Sequence, residues 1–142
     1  MTGFLLDTNV VGELVRPRPD ELVARWIERQ RVEELHLSTL TIGELTRGAA
    51  KLGDTARSAS LRRWIDALAL QFEGRLLAFD LRAARRWGDT AGRADRAGGP
   101  LPAADAQIAA IALVHGLRVV TRNVRDFDRM VPDAVDPFAP DP

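Results

Sequence analysis

The feature that most restricts this chain is an alternation. Short apolar runs, Phe4-Leu5-Leu6, Leu35-His36-Leu37, Leu76-Leu77-Ala78-Phe79 and Leu117-Arg118-Val119-Val120, are separated by segments with helical spacing. Runs of this length suit strands buried on both faces, as in a parallel sheet. Parallel neighbours cannot be joined by a tight turn, so each connection crosses over, usually through a helix. The order predicts an α/β fold, a three-layer α/β/α sandwich with a central, mainly parallel sheet. In such sheets functional groups gather beyond the carboxyl ends of the strands.

The connections carry their own start and stop signals. Val10 to Val15 reads as a brief helix stopped by Pro17 and Pro19, and Pro19 or Asp20 starts a second, with Leu22, Val23, Trp26 and Ile27 as its stripe. A third helix is expected near Thr41, carrying Ile42, Leu45 and Ala49. Beyond the Gly53-Asp54 turn, Leu61, Trp64, Ile65, Leu68 and Phe72 recur at amphipathic spacing, and Gly74 ends that helix. Asp80 suits the cap of a helix using Leu81, Ala84, Trp87 and Ala91. Pro102 suits the first position of the next helix and Gly116 its stop. A last strand is expected around Ala134 to Asp136.

At 142 residues the chain is expected to form one domain, residues 1–138, with 139–142 as a flexible tail. It has no cysteine, which excludes disulfides, thiol catalysis and cysteine zinc sites together. No window approaches transmembrane length and no leader-like segment opens the sequence, so no membrane partner and a cytoplasmic protein are expected. The formal net charge is zero, giving no global argument for a nucleic-acid partner. Lys51 is the lone lysine among many arginines. A genome bias or a local phosphate-holding patch would each produce that.

The acids carry the chemistry. Asp105 opens the helix after Pro102, and its helical neighbours Ile108, Ala109, Ile111 and Ala112 are all apolar, which sets a carboxylate at or near the core-facing side. That is costly unless something cationic or hydrogen-bonding meets it. Asp7 and Asp126 follow the first and last main strands, and Glu44 follows the second. Each has an ordinary reading: Asp7 as a helix cap, Glu44 as the end of a T-x-x-E capping box with Thr41, Asp105 as a partner of its helix dipole, Asp126 as a turn residue. Jointly they say more, because a parallel sheet brings all of them to one edge. Crowded carboxylates repel and take up protons unless cations sit among them. Oxygen donors without Cys or a suitable His favour Mg²⁺ or Mn²⁺ over zinc. His36 lies between leucines and His115 at a helix C-terminus, and neither completes a nucleophilic triad. No glycine-rich phosphate loop is present.

Leu5-Leu6-Asp7-Thr8-Asn9-Val10, Ser38 to Leu45, Pro102-Ala103-Ala104-Asp105 with Ile108-Ala109-Ala110, and Val120-Thr121-Arg122-Asn123 with Asp126-Phe127 occur in that order. This resembles the PIN-domain nucleases, and within them the VapC toxins of bacterial toxin–antitoxin pairs, in the FitB-like branch. The resemblance implies that Asp7, Glu44, Asp105 and Asp126 bind Mg²⁺ or Mn²⁺, with Thr8, Asn9, Thr121 and Asn123 around them. It implies ribonuclease activity on structured RNA of the tRNA or rRNA class, a homodimer, and inhibition by a cognate VapB-like antitoxin. Arg122, in the same stretch, reads on its own either as a phosphate contact or as an ordinary exposed arginine.

The expected mechanism is phosphodiester hydrolysis, with Asp7 and Asp105 as primary ligands, Asp126 holding a second metal, and Glu44 ligating or orienting water. An aspartyl phosphatase would want a second carboxylate two residues after Asp7, where this chain has Asn9. A non-catalytic RNA- or protein-binding module on the same scaffold is the other alternative. Clustered carboxylates gain such a module nothing toward phosphate.

Overall fold

A computed structural model of the chain describes residues 3–140. Strands β1 (Gly3–Leu6), β2 (Leu35–Ser38), β3 (Leu76–Leu77) and β4 (Leu117–Val120) form one sheet in the order β3-β2-β1-β4. Every pairing is parallel, with Phe4 opposite Leu35, Leu6 opposite Val120 and Leu37 opposite Leu76. The helices are α1 (Thr8–Leu14), α2 (Glu21–Glu28), α3 (Thr39–Lys51), α4 (Ala56–Gln71), α5 (Leu81–Arg96), α6 (Ala103–His115) and α7 (Val124–Phe127). The α/β/α sandwich expected from the alternation is the observed fold. No helix among the described residues is long and apolar enough to cross a membrane.

Strand alternation divides the core in two. Leu5 and Val119 point into a cluster with Ile108, Ile111, Ala112 and Phe127, under α5 and α6. Phe4, Leu6 and Val120 point the other way, against Val10, Val23, Trp26, Leu37 and Leu68. Leu5, Leu37, Val119 and Val120 are fully buried, and each such side chain contributes about 1.5–3 kcal/mol on leaving water. Strand β1 is therefore buried along its whole length, while half-buried His36 and Arg118 interrupt the apolar runs of β2 and β4.

Several local expectations shift. The helix α1 starts at Thr8, ahead of Val10, because Asp7 caps it by accepting from the Thr8 N–H. The Thr41/Glu44 capping box does not form. Ser38 is the cap of α3, accepting from Thr41 N at 3.2 Å, so Thr41 already lies inside the helix. Pro102 precedes α6 as its cap residue instead of occupying its first turn. The strand β3 ends at Leu77, since Phe79 leaves the sheet to pack edge-on against Trp87. On α5 the buried position is Ala83, while Leu81 is exposed. The last expected strand shrinks to one bridge, Val120 with Val135. Asp20, Asp80 and Gly116 end or start helices as read, Gly116 with φ 66°. Of the expected tail, Ala139 closes a turn onto Asp136 O, and residues 141 and 142 lie outside the described residues.

Candidate active site

The strand order sets the place. From β1 the chain builds outward through β2 and β3, then returns to β4 on the other side of β1. In such sheets the carboxyl ends where the order reverses, here between β1 and β4, are where a functional crevice is expected. Asp7 directly follows β1 and Thr121 directly follows β4. The Asp7 N–H donates to Val120 O at 2.8 Å, extending the ladder one step and setting the two residues side by side.

Asp7 is 5% exposed, and its carboxylate is held from three directions. Oδ1 accepts from Thr8 N at 2.8 Å. Oδ2 accepts from the Thr121 hydroxyl at 2.8 Å and from the Asn9 amide at 3.3 Å. Burial raises its pKa above the ordinary aspartate value, against the lowering effect of the Thr121 and Thr8 bonds. Thr121 is fully buried, and its single hydroxyl proton goes to Asp7 while its oxygen accepts from Asn123 N at 3.0 Å. Asn9 Oδ1 takes the Arg122 N–H at 3.2 Å, tying the loop after β4 back to α1. Thus Asn9, Thr121 and the backbone of Asn123 all serve one carboxylate.

The other acids arrive on helices. Glu44 is exposed on α3, and its Oε1 accepts from the Thr8 hydroxyl at 3.1 Å. With that proton committed, the Thr41 hydroxyl, 3.0 Å away and fully buried, donates to Thr8. Asp105 is half-buried in the first turn of α6, and Asp126 is exposed in the first turn of α7. Asp105 ties the group together. Burial and the like charges of Asp7, Asp126 and Glu44 push its carboxyl up to about 6. Among the described residues no three acids or histidines stand at metal-holding distance of one another, so the four carboxylates share a field and not one point.

The Arg122 guanidinium lies over the Phe138 ring, 3.7 Å from the centroid. From the sequence the cap of α3 falls to Thr41 and Ser38 has no role; in the structure Ser38 is the cap and Thr41 acts through Thr8 on the direction of Glu44. Two hydroxyl residues three apart at a strand end were the available signal. His36 and His115 line a cleft with Gly3 at the opposite, amino end of the sheet. A cleft of about 460 Å³ runs between α2 and residues 135–140 and includes one acid, Asp136.

The PIN domain family matches residues 4–131. The chain belongs to the PIN domain family. Within it the chain sides with the VapC and FitB proteins. It is 36% identical to the VapC ribonuclease Y4jK of Sinorhizobium fredii, over 96% of this chain and 99% of that protein. It is 37% identical to the toxin FitB of Neisseria gonorrhoeae, over 87% and 90% of the two chains. The crystal structure of FitAcB from Neisseria gonorrhoeae superposes with a TM-score of 0.87 at 34% identity, covering 95% of this chain and 98% of the other.

Proposed function

We propose that this chain is a divalent-metal-dependent endoribonuclease, the toxin of a toxin–antitoxin pair, cutting structured RNA of the tRNA or rRNA class. The carrying observation is Asp105, whose carboxyl is lifted to about 6 by burial and by three other acids from three other elements. Such a group is a poor choice for a packed fold and a good one for a place that receives positive charge. The donor set fits Mg²⁺ or Mn²⁺: carboxylate oxygens beside hydroxyls and an amide, with both histidines at the far end of the sheet.

Asp7 and Asp105 would be the primary ligands. Asp7 is fixed by Thr8 N, Thr121 and Asn9, so its remaining lone pairs keep one direction. Glu44, on the surface and steered by Thr8, and Asp126, on α7, are free to rotate toward a cation or to accept a proton from attacking water. When bound, the metal supplies the charge that offsets these acids and makes water acidic enough to attack phosphodiesters near neutral pH. Asn9 donates to Asp7 where an aspartyl phosphatase would need an acid, which leaves that alternative without its proton donor.

The toxin reading draws on the names of the two relatives, a VapC ribonuclease and the toxin FitB. We extend it to a homodimer and a cognate VapB-like antitoxin protein in the cytoplasm. Expression with and without a small neighbouring reading frame, with RNA ends mapped afterwards, is the test. Growth arrest relieved by the neighbour, with discrete RNA cuts, is the expected result. Unimpeded growth with intact RNA at full expression would refute it.

A further inference from the structure

Three arginines lie over aromatic rings, and two of them have their donors committed. Arg75, over Phe72, donates to the carbonyls of Val32, Leu35 and Gln71. Arg118, over Phe4, pairs with Asp133 at 3.0 Å. Arg122 has the shortest ring distance, 3.7 Å to the Phe138 centroid, yet no carboxylate or carbonyl among the described residues takes its guanidinium protons. It is an arginine held in place with its hydrogen-bonding edge unspent.

The holding is built on both sides. On one side the Arg122 backbone N–H donates to Asn9 Oδ1, and the preceding Thr121 bonds Asp7. On the other, Val135 exchanges hydrogen bonds with β4, Val135 N to Val119 O and Thr121 N to Val135 O, which brings residues 135–138 alongside the loop. Asp136 Oδ1 then accepts from Phe138 N at 2.9 Å and sets the ring. Phe138 lies outside the residues 4–131 that match the family. A free arginine beside four carboxylates would fold onto them, and the ring offers it another seat. Burial and like charges dominate Asp105, so the guanidinium does not neutralise the acids.

We propose that Phe138 is a positioning residue that holds Arg122 at the rim of the acidic crevice, where its planar fork takes a backbone phosphate of the RNA. This rests on the ribonuclease reading above. A guanidinium with one face on a ring and its edge free suits bidentate phosphate contact, and it places positive charge where the polyanion must approach an acidic centre.

The test is fluorescence anisotropy with a labelled single-stranded RNA oligonucleotide, in full-length Asp105→Asn protein with Mg²⁺, across about 50 to 200 mM salt. Arg122→Met, an exposed change, should weaken binding about three- to tenfold and flatten the salt slope by about 0.7, the loss of one phosphate contact. Phe138→Met, which keeps apolar volume without a ring, should weaken it about two- to fivefold, and Phe138→Tyr should restore it. In the Arg122→Met background Phe138→Met should do nothing more. Parental affinity and slope in Arg122→Met would overturn the proposal. So would an equal loss from Phe138→Met with and without Arg122, the mark of a packing role. The two readings fail separately: Asp105→Asn protein that still cut RNA would contradict the ribonuclease site, while the binding comparison would stand.

Discussion

Asp105→Asn should make the protein more stable and inactive at once. The Asp105 carboxyl stands at about 6 in the fold against 3.8 ordinarily, so the folded chain holds this proton more tightly than the unfolded chain does. Its contribution is most favourable below the unfolded value and is lost as pH rises through about 6. A gap of about 2 pH units corresponds to about 3 kcal/mol between the protonation states, and partial exposure to water screens that to about 1–2 kcal/mol. Asparagine keeps the shape and drops the charge. At pH 8 in EDTA the variant should therefore melt about 4 °C above the parent for each kcal/mol recovered. Below about pH 3 the two curves should converge, because aspartic acid is then neutral in both the folded and the unfolded chain, as asparagine is. Circular dichroism melts from about pH 3 to 8 measure this directly. Mn²⁺ should raise the melting temperature of the parent and leave the variant nearly unchanged. A variant less stable than the parent at pH 8, or a difference that ignored pH, would refute the reasoning.

Three further outcomes follow from the same geometry. Thr121→Val keeps the volume but strips the proton from buried Asp7 and an acceptor from Asn123, and urea unfolding should show a loss of about 1–3 kcal/mol together with reduced cleavage. Ser38→Ala removes the α3 cap and should cost about 1 kcal/mol in the same assay. Gly116→Ala forces a side chain to φ 66°, costing about 1–2 kcal/mol with Mn²⁺ affinity unchanged by calorimetry, since this turn lies at the far end of α6 from Asp105.

Most of this fold could be read from the chain because its signals are local. The β1 run is apolar throughout since both faces are covered, and Asp20, Asp80 and Gly116 mark helix ends through bonds or backbone angles of their own neighbourhood. What escaped depends on distant partners. Whether Ser38 or Thr41 caps α3 is decided by where β2 stops pairing with β3, at Ser38 with Leu77. The Thr41 hydroxyl instead meets Thr8, which orients Glu44 from the neighbouring helix α1. Large Leu81 was expected inside and small Ala83 is, because the tight approach of α5 to its neighbours has room for a methyl group. The acids were legible at strand and helix ends, and their gathering at one edge followed from the expected parallel sheet; the order β3-β2-β1-β4, which sets β4 beside β1, was not legible, since no short window contains it. Phe138 beneath Arg122 was invisible for the same reason.

The central claim is that Asp7 and its companion acids form a metal-dependent RNA-cutting centre, and a cleavage assay on purified protein tests it most directly. A structured RNA substrate is incubated with the parent and with Asp7→Asn, in EDTA and in Mn²⁺, with the products mapped. Discrete cutting by the parent in Mn²⁺, none in EDTA and none by a folded Asp7→Asn is the predicted result. Cutting by Asp7→Asn at the parental rate, or cutting by the parent that EDTA leaves untouched, would contradict it.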